Sequence, residues 1–423
     1  VSGLPDTNKL NYNLQIERLQ SSRTDIAALV PDSALSSIRL PDRFGITGQV
    51  SGTMKDYMAR LYLASSDGMA YINGSLATSP GKNHETYDLQ VRTGGLNLGK
   101  ILKQDSLMGM VTANLVAKGE GFDVKTMNAS VEGAITAAVI KGYKYHDIKL
   151  SAKVAAQKGN IDFLSADPNL QVQLTGQADF SGKYASAKAD IRIDSINFQA
   201  LKLYSTELRA RGVIHFDFPV LNPDYPQGEF VWWQPVINAD GRRYYLDSMY
   251  IVSRPSADSG QNIFADLGLI QATIKGKTPL TKIVPIIEDH INRHYQFRST
   301  DSVRNNTASI KQKAADTMQL PADYDLSLKA HITDMPMLHS LLPGLTSFDS
   351  VHLDATLSPQ YFSFNANAPH IIYGTTSIDN GNIRVRGVDS AFTYKVKVDK
   401  IRHGNLALGY ADVHGSLDKY YIS

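Results

Sequence analysis

Short segments in which apolar and polar residues alternate recur along most of this 423-residue chain. In residues 165–182, Leu170, Val172 and Leu174 alternate with polar residues before Gly176. A period of two is typical of a β-strand with one apolar and one polar face. Other segments with this pattern are 12–20, 60–65, 87–93, 188–195, 324–332, 351–357, 382–388 and 391–401. The fold therefore has to cover the apolar faces of many strands.

The connections between these segments are short and rich in Gly, Asn and Asp, as at Asp240-Gly241. Short connections predict hairpins of neighbouring antiparallel strands. Helical patterns are few, and most cover only one or two turns. The short predicted helices are 24–31, 95–104, 195–203 and 334–344.

One longer amphipathic helix is predicted over residues 278–295. Thr278 is its predicted N-cap, and a kink is expected at Pro285. Its predicted apolar stripe consists of Leu280, Ile283, Val284, Ile287 and Ile291. The pattern predicts that this stripe packs against the sheet, from inside or outside.

Composition excludes several classes of function. The chain has no cysteine, which excludes disulfides, thiolate metal sites and thiol catalysis and fits a periplasmic or exported protein. Its 43 basic and 41 acidic residues give a net charge of +2, and no local basic patch stands out. Nucleic acid is therefore not a predicted partner. No leader or apolar run of the length of a transmembrane helix is recognisable, and residues 416–423 stop in what looks like a strand, which suggests that the chain is a piece of a longer protein.

The sequence predicts that the chain is not an enzyme and that it binds no cofactor and no metal. Nucleophile elbows, phosphate-binding glycine loops and zinc helices are missing from the sequence. His290 and His294 have a spacing that can chelate a metal, but they lie on or beside the apolar stripe, which favours packing. The aspartates of 165–170 and 217–228 are interpreted as turn residues that bind their own backbone. The aromatic residues of 216–254 are interpreted mainly as core.

The alternation is compatible with two architectures. Tandem β-sandwiches would bury the apolar faces against each other. A single sheet curved lengthwise would leave an open trough that only an apolar ligand could fill. Residues 1–215 contain no recognisable linker of the kind expected between sandwiches, but periodicity alone does not choose between the two.

A resemblance favours the trough. The succession of "GLNLGKIL", "ANLVAKGEGFD", "GYKYHDIKL", "ADPNLQVQLTG" and "IDSINFQALKL" in residues 87–203 resembles the TamB-like members of the AsmA superfamily, particularly those of Bacteroidetes. The resemblance implies a mostly β fold: a long, curved, open antiparallel β-groove, taco-like, with an apolar interior and a few short helices. It also implies the periplasmic part of a protein anchored in the inner membrane of a Gram-negative bacterium, which carries phospholipid towards the outer membrane.

The resemblance further implies a TamA- or BamA-type outer-membrane barrel as partner of the parent protein, and membrane attachment through regions outside this sequence. The predicted division is a repeating groove segment over 1–215, aromatic-rich hairpins and the amphipathic helix over 216–295, a polar linker or excursion over 296–320, and a further groove segment over 321–423. The residues predicted to line the groove and contact acyl chains are Leu170, Val172, Leu174, Ile191, Ile193, Ile383, Val385, Val396 and Val398. The alternative prediction is a structural or adhesive tandem β-sandwich module that binds protein or glycan.

Overall fold

The chain is mostly β-sheet. The computed structural model describes residues 10–28, 36–53, 55–78, 85–256, 260–294, 321, 323–388, 391–418 and 421–422. Within these ranges, 27 strands belong to an antiparallel sheet that no pairing closes, accompanied by a few short helices. The predicted mostly β fold with an open antiparallel sheet is therefore confirmed. The lengthwise curvature and the apolar interior stay predictions.

Two compact units make up the chain. Unit 1 extends to His215 and includes Val236–Gly241, and unit 2 comprises Phe216–Pro235 and the residues from Arg242 onwards. Residues 216–294 and the described residues from 321 onwards thus belong largely to one unit. The predicted linker over 296–320 lies outside the described residues.

The sheet of unit 1 is a meander in which every strand from β1 to β11 pairs with the next strand in sequence. Tight turns set this order: Ala156 and Gln157, both with positive φ, join β8 to β9. The strands of unit 1 are β1 Asn11–Ser22, β2 Arg43–Thr53, β3 Asp56–Ser65, β4 Gly68–Thr78, β5 Glu85–Asn97, β6 Met108–Glu120, β7 Asn128–Ile140, β8 Tyr143–Ala155, β9 Lys158–Asp167, β10 Leu170–Asp179 and β11 Ser186–Asn197.

Two of the predicted short helices form in unit 1, each directly after a strand. Helix α1 (Arg23–Ala27) has a capping box between Ser22 and Asp25. Helix α2 (Leu98–Ile101) begins after Asn97, whose side-chain oxygen accepts from the backbone N–H of Lys100 at 3.1 Å. The predicted helix over 195–203 is instead a hydrogen-bonded turn.

In unit 2 the main ladder runs through β13, β15–β18, β20–β23 and β26. β19 adds to β21, β24 to β22 and β27 to β26. Strands β12 (Leu208–Val220) and β13 (Gln227–Ala239) contribute residues to both units. The remaining strands are β14 Arg242–Tyr245, β15 Met249–Ser256, β16 Gly260–Asp266, β17 Ile270–Gly276, β18 Leu326–Ile332, β19 Leu345–Phe348, β20 Val351–Leu357, β21 Tyr361–Tyr373, β22 Thr376–Val388, β23 Ala391–Val398, β24 Lys400–His403, β25 Leu406–Leu408, β26 Ala411–Asp418 and β27 Tyr421–Ile422.

The predicted amphipathic helix is present as helix α3 (Ile283–His294), after a 3-10 turn over Leu280–Lys282. Pro285 lies in its first turn, where a missing N–H costs no intrahelical hydrogen bond. The predicted N-cap is wrong, because the Thr278 hydroxyl donates to the Asp325 carbonyl at 2.8 Å. The backbone carbonyl of Asp224 instead accepts from the N–H of Leu280 at 3.3 Å. A further predicted helix forms as α4 (Pro336–Leu341).

Candidate functional site

The strand register of unit 1 aligns the apolar residues of successive strands into continuous rows. Residues directly opposite each other on antiparallel strands project from the same face of the sheet. Leu61 on β3 lies opposite Ile72 on β4, Ile72 opposite Val91 on β5, and Val91 opposite Leu115 on β6. The full row from β1 to β11 is Ile16, Gly48, Leu61, Ile72, Val91, Leu115, Gly133, Leu150, Phe163, Leu174 and Ile191.

The rows on either side of it are apolar as well. One consists of Leu14, Val50, Ala59, Gly74, Leu89, Ala117, Val131, Ala152, Ile161, Gly176 and Ala189. The other consists of Leu19, Ile46, Leu63, Ala70, Thr93, Ala113, Ile135, Ile148, Ser165, Val172 and Ile193. We call these three rows the unit 1 apolar face. None of their residues carries a charge.

The opposite face of the same strands is polar. The row between the apolar residues consists of Gln15, Gln49, Arg60, Asn73, Gln90, Val116, Glu132, Ser151, Asp162, Thr175 and Asp190. Polar pairs cross the strands here, such as the Lys118–Asp88 ion pair at 2.9 Å. The polar side chains of this face can be hydrated by water. The apolar side chains of the opposite face are unfavourable in water and require an apolar contact.

Most side chains of the unit 1 apolar face are only half-buried, and Ile72 and Ile161 keep 37% and 39% of their surface exposed. A residue enclosed between two packed sheets would be nearly inaccessible. Full burial occurs where Leu98 of α2 packs against the cluster of Val111, Ala113 and Ala138. The short helix thus covers one margin of the face and leaves the central row accessible.

Unit 2 repeats this arrangement independently. Its central row consists of Phe230, Ile251, Ala265, Ala272, Ala330, Leu353, Ala366, Ile383, Val396 and Val413. The row beside it includes Ile263, Ile274, Leu328, Ala355, Phe364, Val385 and Tyr394. These two rows, with Leu326, Leu357 and Phe362 beyond them, form the unit 2 apolar face.

Helix α3 packs on part of the unit 2 apolar face. Ile286 is fully buried in a cluster with Tyr324, Leu326 and Leu357. Ile274, Ile283, Ile287 and Phe362 pack around this cluster. The predicted stripe is therefore wrong in one respect, because Val284 is 64% exposed and Ile286 takes the central contact. Among the described residues of unit 1, no such helix covers the central row of the apolar face.

Seven of the nine residues predicted to line a groove lie in the rows of these two faces, whereas Leu170 lies two residues before Val172 on β10 and Val398 two residues after Val396 on β23. Val172 lies opposite Ile193 and Leu174 opposite Ile191 in unit 1. Ile383 lies opposite Val396 in unit 2. Of the nine, Leu170, Val172, Leu174, Ile191, Val385 and Val396 are half-buried, Ile383 is 43% exposed, and Ile193 and Val398 are 7% exposed.

Asp167, one of the aspartates of 165–170, has a structural role. The Asp167 carboxylate is fully buried and accepts from the Tyr143 hydroxyl at 2.7 Å and from the backbone N–H groups of His146 and Asn169 at 2.9 and 2.8 Å. Its bond to Asn169 confirms the interpretation as a turn residue. Burial and the hydrogen bond to Asp167 raise the pKa of Tyr143. The side chains of His290 and His294 lie outside the described residues.

A local basic patch that did not stand out in the sequence is present in unit 2. Arg384 and Arg386 on β22 and Lys395 and Lys397 on β23 project from the polar face of unit 2. The sequence contains a signal for this patch in the runs "RVR" (384–386) and "KVK" (395–397). Only the pairing of β22 with β23 brings the four basic side chains together.

Comparison with known proteins identifies no relative: no family model, no curated protein and no solved structure matches the chain. Among the described helices, none has the length and apolarity needed to cross a bilayer. The class of protein that can be stated is therefore an open antiparallel β-sheet with one apolar and one polar face in each unit.

Proposed function

We propose that the apolar faces of this protein bind the acyl chains of phospholipid and conduct the lipid along the sheet. On this proposal the chain is the periplasmic part of a longer, inner-membrane-anchored protein that moves phospholipid towards the outer membrane. The observation that carries the proposal is the continuity of the unit 1 apolar face, whose central row crosses all the strands from β1 to β11.

An accessible apolar surface of this extent needs an occupant. Soluble monomers rarely expose contiguous apolar patches beyond roughly a few hundred Å². Acyl chains fit because they are long, flexible and without polar groups, and each methylene transferred from water to the face contributes about 0.8 kcal/mol. The mixture of Leu, Ile, Val, Phe and Gly along the central row gives no directional contact, so an acyl chain can shift from strand to strand at little cost.

The alternative of tandem β-sandwiches has less support. Half-exposed residues such as Ile72 would have to be sealed inside a sandwich, and the described strands belong to one sheet rather than to separate pairs of sheets. No specific observation on the described residues favours a protein or glycan that binds the aromatic segment 216–254.

The wider setting of the proposal rests on composition and resemblance. Absence of cysteine fits the oxidising periplasm. Similarity of residues 87–203 to TamB-like proteins supports an inner-membrane anchor and an outer-membrane barrel of the TamA or BamA type, both engaged through other parts of the parent protein.

Site-specific photo-crosslinking tests lipid binding with neighbouring positions as controls. A benzophenone side chain replaces Leu61, Ile72 or Val91 on the unit 1 apolar face, or Arg60, Asn73 or Gln90 on the polar face of the same strands. We expect mass spectrometry of protein irradiated in cells to find phospholipid adducts at the first three positions and several-fold fewer at the others.

A second variant tests the face by charge. Ile72→Asp places a carboxylate at a position that is already 37% exposed, so the sheet should keep its circular dichroism while phospholipid co-purification falls severalfold. Equal adduct yields on both faces, or adducts to protein in place of lipid on the apolar face, would show that the proposed function is wrong.

A further inference from the structure

The polar face of unit 2 contains a recess lined by basic side chains. Arg384 and Arg386 on β22, Lys395 on β23 and His414 on β26 surround a volume of about 590 Å³. Arg384 lies directly opposite Lys395, and Lys395 lies directly opposite His414. Hydroxyl groups of Thr393 and Ser416 complete the polar lining. We call this volume the cationic recess.

The positive charge of the cationic recess is poorly neutralised. In the part of the chain that the structure describes, no acidic residue lines the recess. Asp412 at its margin lies 3.6 Å from the Lys395 ammonium, 3.4 Å from that of Lys397 and 3.7 Å from the His414 Nδ1, which leaves the two arginines without a counter-charge among the described residues. Hydrogen bonding to Asp412 raises the pKa of Lys397, so this carboxylate is already engaged.

The two arginines are without protein partners. Among the described residues, neither the Arg384 nor the Arg386 guanidinium makes a hydrogen bond or an ion pair with the protein. Each guanidinium offers five N–H donors in a fixed planar fork. Like charges directly opposite each other on adjacent strands also destabilise a sheet. The pairing of Arg384 with Lys395 is therefore a cost that a bound anion would remove.

The polar recess of unit 1 differs in this respect. In the polar recess of unit 1, which Arg60 and Lys118 also line, Lys118 is paired with Asp88 at 2.9 Å. The Arg60 Nε donates to the side-chain oxygen of Asn73 at 3.5 Å. The cationic recess therefore differs from the polar recess of unit 1 in having two adjacent arginines without a protein partner among the described residues.

We infer that the cationic recess is a binding site for a soluble, phosphate-bearing anion. Residues two apart on a strand project from the same face about 6.7 Å apart, and neighbouring strands lie about 4.8 Å apart. Arg384, Arg386 and Lys395 therefore form a triangle of donors on the scale of one or two adjacent phosphate groups. Arginine forks bind phosphate oxygens in pairs, and lysine adds a point charge.

The position and shape of the recess favour a discrete ligand. Its cations project from the face opposite to Ile383 and Val396, so they do not bind the headgroup of a lipid whose chains lie on the unit 2 apolar face. The recess is open to solvent, so a small soluble anion can reach its basic side chains. This site is independent of the proposed lipid function.

Isothermal titration of the full chain with inorganic pyrophosphate tests the inference. We expect saturable binding of one equivalent, weakened about tenfold by Arg384→Gln or Arg386→Gln and about a hundredfold by both changes together. Arg60→Gln, a matched loss of one arginine on the polar face of unit 1, should leave the affinity unchanged. Circular dichroism identifies any variant that fails to fold, and Arg384→Lys then serves as the milder change, with partial loss expected.

Two further probes decide the identity of the ligand. Malonate, a dianion with carboxylates, should bind at least tenfold more weakly than pyrophosphate, and equal affinity would overturn the assignment to phosphate. Vesicles of phosphatidylglycerol should not displace pyrophosphate. Binding to such vesicles without binding of pyrophosphate, or equal affinity of the double variant and the unaltered protein, would also overturn the inference.

Discussion

The contact between helix α3 and the unit 2 apolar face allows a sharp test through Ile286. This side chain is fully buried against Tyr324, Leu326 and Leu357. Ile286→Ala removes its contacts and leaves a cavity, for which substitutions of this type cost about 2–5 kcal/mol. Since about 1.4 kcal/mol changes an equilibrium tenfold, the opening of α3 from the sheet should become about 30-fold or more favourable.

Amide hydrogen exchange of the peptide 283–294 measures this opening. Val284→Ala is the matched control, because it makes the same kind of change on the same helix at a residue that is 64% exposed. It should alter protection by less than about 0.5 kcal/mol. Strands of unit 1 serve as an internal reference whose protection should not change.

An equal loss of amide protection in the two variants, or no loss of protection in Ile286→Ala, would contradict this packing of α3. Either outcome would mean that α3 does not use the face centred on Ile286. Binding of an apolar dye should also rise for Ile286→Ala alone, because opening of α3 exposes Leu326 and Leu357.

The remaining predictions concern two buried or paired groups. Asp167→Ala leaves the Tyr143 hydroxyl and two backbone N–H groups without their acceptor, so urea unfolding of unit 1 should lose about 3 kcal/mol. His339 binds the Leu345 carbonyl at 2.7 Å and the Asp334 carboxylate at 2.6 Å, two acceptors that both ring nitrogens can serve only when the imidazole is protonated. These contacts raise the pKa of His339, so their stabilisation is complete below the unfolded value of about 6.5 and is lost as pH rises through the folded value.

Controls are available for both predictions. Asp162→Ala, an exposed carboxylate on the polar face, should change unfolding by less than about 0.5 kcal/mol, and an equal loss would contradict the role given to Asp167. For His339, the urea midpoint of unit 2 should fall between about pH 5.5 and pH 8. His339→Gln should abolish the part of this change that the imidazole causes, and an unchanged pH dependence would count against it.

The alternation of residues was enough to predict a mostly β chain and to assign the two faces of the strands that it marked, among them β3, β10 and β11. The direction of a side chain along a strand depends only on its position in the sequence, so Leu170, Val172 and Leu174 could be placed on one face without knowledge of any partner. The short helices after β1 and β5 were also predictable, because their caps at Ser22 and Asn97 are local. The turn over 195–203 could not be predicted, because the sequence of so short a segment does not distinguish a helix from a hydrogen-bonded turn.

The orientation of helix α3 could not be predicted from the sequence. Helical periodicity placed Val284 within the stripe of Leu280, Ile283, Ile287 and Ile291 and left Ile286 outside it. The hydrogen bond from the Leu280 N–H to the Asp224 carbonyl holds the segment that precedes α3. Packing against Leu326 and Leu357 then turns Ile286 towards the sheet.

The sequence by itself determined that this protein is built from strands with one apolar and one polar face, because a period of two is a property of each strand alone. Only the tertiary structure decided which residues become neighbours across strands. A shift of one residue in register would turn every side chain of a strand to the other face, and register is fixed by pairing between segments distant in sequence. The continuous row through Leu61, Ile72 and Val91, and the meeting of Arg384 with Lys395, are both results of that pairing.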